Sequence, residues 1–139
     1  MKKFLSLVLL PFAYFLMAEI TLPKVFSDNM VLQREQKIPF WGNAAPHEKV
    51  KISFKNQIKE TIADENGNWK IFLDREKAGG PFQMTISGEN TLVLKNILIG
   101  DVWLASGQSN MEWNLASAEG FEAEKSQKDF PKIRHLKIQ

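Results

Sequence analysis

Residues 100–111 read Gly-Asp-Val-Trp-Leu-Ala-Ser-Gly-Gln-Ser-Asn-Met, an apolar run that ends abruptly in small and polar residues. Residues 102–105 are apolar without alternation, which is typical of a strand buried on both faces. From Asn110 to Ala118 the apolar positions follow a helical spacing. The stretch therefore predicts a strand, a tight turn and a helix. Ser109 lies at that turn, where a serine hydrolase places its nucleophile.

Acyl transfer by a serine requires an exposed hydroxyl, a base and donors for the oxyanion. Gly107 permits a tight turn, and the N–H groups at the start of a helix are unpaired and partly positive. The N–H of Ser109 could therefore donate to an oxyanion. The alternative is that Ser109 and Asn110 only cap a helix, and spacing alone favours that interpretation. The second glycine of a Gly-x-Ser-x-Gly elbow is absent, because Met111 stands there.

Residues 1–18 have the layout of a secretory signal peptide. A basic start is followed by an almost wholly apolar run of 15 residues, with a small residue, Ala18, just before polarity returns at Glu19. A transmembrane anchor is the alternative, but a span needs about 20 residues, and Pro11 interrupts the run. We therefore expect an exported protein, periplasmic or extracellular, with no stable membrane anchor after cleavage.

The charge balance argues against a nucleic-acid partner. The chain has 18 basic and 16 acidic residues, and loss of Lys2 and Lys3 with the signal would leave 16 of each. Nucleic-acid binding instead requires a basic face. The chain contains no cysteine, which excludes disulfides and thiolate metal sites. The sequence contains no metal-ligand cluster, so we expect neither a metal nor another cofactor, and the oligomeric state stays open.

Residues 19–99 have the pattern of short β-strands separated by turns. Apolar and polar residues alternate with period two, most clearly at Val50, Ile52, Phe54, Trp69, Ile71, Leu73, Phe82, Met84 and Ile86. Asn66-Gly67 predicts a two-residue hairpin turn, Pro39 favours an edge strand, and residues 79–81 should break the chain. Six or seven such strands predict an antiparallel, jelly-roll-like β-sandwich.

The pattern of residues 100–139 predicts the beginning of an α/β domain. We expect a second short helix over residues 121–127 and a strand over residues 133–138, which would complete a strand–helix–strand unit. The predicted fold is thus mixed β and α/β, with a signal peptide (1–18), a β-sandwich domain (19–99) and the start of a hydrolase domain (100–139). Because 40 residues after Ile99 cannot build and cover a sheet of about five strands, we expect a truncated domain.

Residues 100–115 closely resemble the nucleophile segment of the sialate O-acetylesterases, a carbohydrate-esterase family of SGNH hydrolases. Residues 22–33, Trp41-Gly42 and residues 64–69 also resemble that family. The resemblance implies a β-sandwich before the hydrolase domain, with Ser109 as the nucleophile and its N–H in the oxyanion hole. It also implies removal of O-acetyl groups from sialic acid or another acetylated sugar.

Residues that flank the nucleophile are candidates for substrate contact. We expect Gln108, Asn110 and Trp113 to lie next to the substrate. The four tryptophans could form a sugar-stacking platform; they are Trp41, Trp69, Trp103 and Trp113. Trp69 and Trp103 fall in apolar strand patterns, so we expect both to pack in the core.

The family's catalytic aspartate and histidine form an Asp-x-x-His motif, and this sequence contains none. His47 lies in a predicted turn and His135 in a predicted strand, so neither is a good substitute. Asp101 is expected to be a structural hydrogen-bonding group. The chain alone is therefore expected to be inactive. The alternative function is a non-catalytic β-sandwich that binds glycans or another protein.

Overall fold

The computed structural model describes residues 19–125 and 130–137, so the predicted signal peptide lies outside the described residues. Within them the chain forms seven strands, two short 3₁₀ helices and one short α-helix. The strands are β1 (Val31–Gln33), β2 (Ile38–Asn43), β3 (Lys49–Phe54), β4 (Gln57–Ile62), β5 (Asn68–Leu73), β6 (Gly79–Ser87) and β7 (Thr91–Gly100). The 3₁₀ helices are Ser109–Glu112 and Leu115–Ser117, and α1 is Phe121–Glu124.

The strands form two sheets. The larger sheet has the order β1-β7-β6-β3-β4, and the smaller sheet pairs β2 with β5. The prediction of a purely antiparallel arrangement was wrong, because β1 runs parallel to β7, with Val31 opposite Leu98. This pairing joins the first strand to the last, and a parallel pair of this kind needs a long connection rather than a hairpin. Pro39 lies on β2, a strand of the two-stranded sheet, as an edge position requires.

Period-two alternation produces one core shared by both sheets. In β2, β3 and β5, alternate residues are buried, and the sequence predicted this alternation for β3 and β5. Phe40 and Ile52 are fully buried, and Trp69 is 3% exposed, which confirms its expected core position. Phe26 stacks on Phe40 with ring centroids 3.9 Å apart, an arrangement in which aromatic pairs add to the free energy gained by burial.

The Asn66-Gly67 turn forms in a different way from the one predicted. Only Gly67 has a positive φ, 79°, and the Gly67 N–H donates to the Asp64 carbonyl. The Asp64 carboxylate accepts hydrogen bonds from the N–H groups of Asn66 and Asn68. This side chain stabilises a longer turn with glycine in the left-handed position. The strands on either side, β4 and β5, belong to different sheets, so the turn connects two sheets and does not close a simple hairpin.

Residues 79–81 do not break the chain, contrary to the prediction. They begin β6, and the Gly80–Pro81 peptide bond is cis. The register between β6 and β7 shifts between Gly79 and Phe82. A bulge accommodates the proline here because the extra residue leaves one position unpaired, so the missing proline N–H breaks no ladder bond.

The region after Gly100 differs most from the sequence-based expectation. The described residues 101–125 and 130–137 contain no strand, so the predicted strands at 102–105 and 133–138 are absent there (residue 138 lies outside the described residues). A strand buried on both faces needs hydrogen-bonded neighbours and covering layers, and the described residues provide neither at these positions.

The predicted helices are also shorter than expected. Two 3₁₀ helices replace a continuous helix from Asn110 to Ala118, because short unpacked segments rarely hold a regular α-helix. The helix expected from residue 121 forms as α1 at Phe121–Glu124, and residues 126–129 lie outside the described residues. Gly120, predicted as a break, precedes α1 with φ of 82°. No helix in the described residues is long and apolar enough to span a membrane.

Candidate active site

The segment that carries Ser109 leaves the larger sheet at a point fixed by polar contacts. Arg34 Nε donates a hydrogen bond of 2.8 Å to the Asp101 carboxylate. The Val102 N–H donates to Gln33 Oε1 at 2.8 Å, and the Arg34 N–H donates to the Gly100 carbonyl. The hydrogen bond to Asp101, and then its charge, raise the pKa of Arg34 above its usual value. Asp101 is thus the structural hydrogen-bonding group that the sequence predicted.

The sequence analysis missed the partners of this anchor. Gln33 and Arg34 are separated from Asp101 and Val102 by nearly seventy positions along the chain. They meet only because β1 pairs in parallel with the end of β7, and Gln33 lies opposite Gly100. No local pattern in the sequence signals a pairing between its first and last strands. Residue type alone does not identify this pair either, because Arg34 could have paired with many other acidic residues of the chain.

Residues 102–104 are exposed, contrary to the expectation of a buried strand. Trp103 and Leu104 are 88% and 89% exposed, so the prediction that Trp103 packs in the core is wrong for the described structure. The apolar character of this run is real, but no described residue covers it. Exposed apolar surface of this kind marks a site of contact with another layer of protein or with a partner.

A tight turn follows at residues 107–111. The Met111 N–H donates to the Gln108 carbonyl at 2.9 Å, which closes the turn and opens the 3₁₀ helix at Ser109. A side chain at Gly107 would bring its Cβ within 2.8 Å of Met111 Cγ. A larger residue at this position would thus require the Met111 side chain to move, and glycine lets it pack closely on the turn.

Ser109 is exposed and is the first residue of this 3₁₀ helix. Among residues 19–125 and 130–137, neither its hydroxyl nor its N–H forms a hydrogen bond. The hydroxyl does not act as a helix cap in this conformation. Both groups are open to a ligand, as a nucleophile and an oxyanion donor would need to be.

The other candidate residues lie close to Ser109 along the chain. Gln108 is exposed and precedes it, Asn110 lies within the same 3₁₀ helix, and Trp113 follows that helix with 68% of its surface exposed. The structure therefore keeps these residues in one short segment, in which Gln108 and Trp113 are exposed.

The two histidines lie in other parts of the fold. His47 occupies an exposed turn with φ of 62°, and His135 is exposed in the segment 130–137. Within the described parts of the chain, neither is hydrogen-bonded to Ser109. A proton acceptor for Ser109 is therefore not formed by either histidine in this conformation.

The segment 130–137 also returns to the larger sheet. Arg134 Nη1 donates to the carbonyl groups of Met30 and Asn96, and Arg134 Nη2 donates to Asn96 Oδ1 at 3.0 Å. Asn96 in turn donates to Asn29 Oδ1 at 2.6 Å. Arg134 thus holds the C-terminal segment against β7 and the residues before β1. The described residues contain no group of three or more metal-ligating side chains.

Comparison with known proteins gives a consistent result. The chain is 35% identical over 127 residues to sialate O-acetylesterase of Mus musculus, covering 81% of this chain. It is 38% identical over 102 residues to sialate O-acetylesterase of Homo sapiens, covering 64% of this chain. The fold matches the crystal structure of a carbohydrate acetylesterase from Xanthomonas citri with a TM-score of 0.76 and 38% identity, covering 81% of this chain. No family model matches the chain.

These relatives are much longer than the part that matches. The alignments cover 23% of the mouse protein, 19% of the human protein and 26% of the Xanthomonas citri chain. Over that part, sequence identity and fold agree on the same relationship. The chain therefore belongs to a sialate O-acetylesterase-like family, of whose members it spans about a quarter or less.

Proposed function

We propose that this chain carries the nucleophile segment of an exported carbohydrate esterase that hydrolyses O-acetyl esters of sugars, with Ser109 as the nucleophile. The observation that carries the proposal is the exposed Ser109 at the start of a 3₁₀ helix, with its hydroxyl and its N–H not hydrogen-bonded to any described residue. The names of its relatives, sialate O-acetylesterase and carbohydrate acetylesterase, supply the substrate class.

The proposed chemistry follows the usual course of serine acyl transfer. Ser109 Oγ attacks the acetyl carbonyl carbon while a base accepts the hydroxyl proton, and the sugar alcohol leaves with a proton. Water then attacks the acetyl-serine ester and releases acetate. The Ser109 N–H would donate to the oxyanion in both steps. One such donor is worth about 3 kcal/mol of the activation free energy.

The same proposal requires groups that the chain does not contain. The sequence has no Asp-x-x-His motif, and neither histidine bonds to Ser109 among the described residues. Because loss of the base alone costs about a millionfold in kcat in subtilisin, residues 1–139 by themselves should not hydrolyse acetyl esters. Gln108, Asn110 and Trp113 would border the substrate in the assembled site.

We further propose that residues 100–139 belong to the first part of a hydrolase domain and that residues 1–18 direct export. The exposed apolar side chains of Trp103, Leu104 and Trp113 support the first statement, because further protein layers would bury them. The basic start, apolar run and Ala18 support the second.

A segment exchange tests the nucleophile directly. Residues 100–125 would replace the aligned segment in the Xanthomonas citri carbohydrate acetylesterase, and release of acetate from an acetylated sugar would be measured. We expect an active exchange protein whose activity falls about a millionfold with Ser109→Ala. Ser106→Ala is the matched control, since Ser106 is a neighbouring exposed serine, and it should retain activity. Full activity in the Ser109→Ala protein would refute the proposed role.

A further inference from the structure

We propose that the outer face of the β2–β5 sheet is a second sugar-binding site, separate from Ser109, and that it takes a neutral pyranose. The face forms an open cleft of about 750 Å³ lined by residues that include Trp41, Asn43, Asp64, Asn68 and Lys70. Small-molecule sites in proteins typically have volumes of about 300–1,000 Å³. The cleft is therefore large enough for one or two sugar rings.

Strand register brings these residues to one face. Trp41 lies opposite Lys70, and Asn43 lies opposite Asn68. All four are exposed, and they alternate with inward-facing residues such as Trp69. Because side chains at i and i+2 share a face of a strand, the cleft presents an aromatic ring beside two amide groups and an ammonium group.

Trp41 is held in place before any ligand binds. The residue is 41% exposed, and its ring meets Phe26 edge-on, with centroids 4.6 Å apart and an interplanar angle of 77°. Phe26 is itself buried and stacked on Phe40. An aromatic side chain fixed in this way loses little conformational entropy when it binds a ligand.

The polar groups beside Trp41 are also ordered. Asn43 Nδ2 donates to Asn68 Oδ1 at 3.0 Å, and Asn68 donates its own N–H and Nδ2 to the Asp64 carboxylate. Among the described residues the Asn43 side-chain oxygen accepts no hydrogen bond. Lys70 forms no ion pair among them, and its ammonium lies over the Phe72 ring, 4.9 Å from the ring centroid. These groups are available to donate to and accept from sugar hydroxyls.

The chemistry of the cleft favours a neutral sugar over other ligands. The C–H bonds on one face of a pyranose are weakly positive and suit the negative face of an indole ring, while the hydroxyls at its edge suit the two asparagines. Lys70 and Asp64 carry opposite formal charges, so the cleft has no net charge that would select an anion or a cation. The proposal does not depend on Ser109 chemistry.

The test follows the indole N–H signals of the four tryptophans in an NMR titration of the full ¹⁵N-labelled chain. Xylotetraose and the trimer of N-acetylglucosamine are the two probes, added separately. We expect the Trp41 signal to move saturably with a Kd of about 1 mM, while the Trp103 and Trp113 signals stay in place. Saturable binding of either sugar at Trp41 supports the proposal.

Variants at Trp41 distinguish the loss of sugar stacking from damage to the fold. Trp41→Leu should weaken sugar binding about tenfold, and Trp41→Phe, which keeps a ring against Phe26, should restore part of it. Trp103→Leu is the matched control at an exposed tryptophan and should bind as the parent does. Ser109→Ala should also leave binding unchanged, so that loss of this site and loss of esterase chemistry are distinguishable.

Four results would overturn the proposal. The first is that neither sugar causes a saturable shift, and the second is that only the Trp103 or Trp113 signal shifts. The third is an unchanged sugar affinity in Trp41→Leu. The fourth is a Trp41 shift that depends on protein concentration and not on sugar concentration. The last result would assign the face to contacts between copies of the chain.

Discussion

Arg34 Nε and the Asp101 carboxylate are joined by a hydrogen bond of 2.8 Å, which ties the residue after β1 to the first residue after β7. Beside it, Gln33 Oε1 accepts from the Val102 N–H. These two contacts set the direction in which the chain leaves the larger sheet toward Ser109. The first prediction concerns this exit point.

Replacing Gln33 by leucine should speed hydrogen exchange at the Val102 amide by up to about tenfold, because that amide loses its acceptor. Asp101→Asn should have a smaller effect in the same direction, since it weakens the neighbouring contact with Arg34. Glu35→Gln is the control, because Glu35 meets Arg34 only at 4.0 Å. Exchange at Val102 that is the same in all three variants would contradict the anchoring role.

Phe40→Ala should lower the free energy of unfolding by about 3–5 kcal/mol, because it leaves a cavity in the shared core. Phe40 is fully buried and stacked on Phe26. Phe130→Ala is the matched control at an exposed phenylalanine, and its effect should stay within about 0.5 kcal/mol. Urea unfolding followed by tryptophan fluorescence measures both. Equal losses at the two positions would mean that residues 130–137 are packed more tightly than described.

Gly67→Ala should destabilise the protein more than Gly120→Ala. Both glycines have a positive φ, 79° and 82°, which costs a non-glycine residue about 1–2 kcal/mol. At Gly67, a new Cβ would also lie 2.4 Å from the Ala44 carbonyl oxygen, whereas nothing lies within 4 Å at Gly120. Thermal unfolding of the two variants measures the difference, and an equal decrease in Tm would show that the turn moves away from Ala44 without cost.

Stability should decrease in acid, in part through Asp64. The pKa of Asp64 is lowered from its ordinary value of 3.8, first by the hydrogen bond from the Asn68 N–H. A lowered pKa in the folded state stabilises the fold above the unfolded-state pKa, and this stabilisation is lost as the pH falls through the folded-state pKa. The pKa values of Glu60, Asp74 and Glu76 are lowered by lysine partners and act in the same direction.

Asp64→Asn should make the dependence of unfolding free energy on pH shallower below pH 3.8, because one of these titrating groups is removed. Glu65→Gln is the control, since Glu65 has no hydrogen bond or ion pair among the described residues. Urea unfolding at a series of acidic pH values gives the slope. A slope for Asp64→Asn as steep as that of the parent would show that titration of Asp64 does not contribute to the loss of stability in acid.

The sequence predicted the parts of the fold that rest on local patterns. Alternation located β3 and β5, because one buried and one exposed face leave a period of two in the sequence. The parallel pairing of β1 with β7 was not predicted, since it joins residues far apart in the chain. The exposed position of Trp103 was also missed, because an apolar run indicates a need for burial and does not show which residues provide it.

The candidate site was predicted unevenly for a similar reason. The small residues around Ser109 signal a turn, and the turn forms with Gly107 closely packed on Met111. The cleft beside Trp41 was not predicted, because Trp41 and Lys70 become neighbours only through the register of β2 with β5. A motif is a local signal, whereas a surface built from several strands has no local signal in the sequence.

The pairing of β1 with β7 also has a consequence for synthesis. The N-terminus of a chain leaves the ribosome first, and domains fold as their parts emerge. Val31 cannot find Leu98 until almost the entire larger sheet has left the exit tunnel. A nascent protein whose synthesis stalls at Leu92 would expose an unpaired β1 to chaperones. The segment that carries Ser109 would emerge next, after β7 has paired with β1.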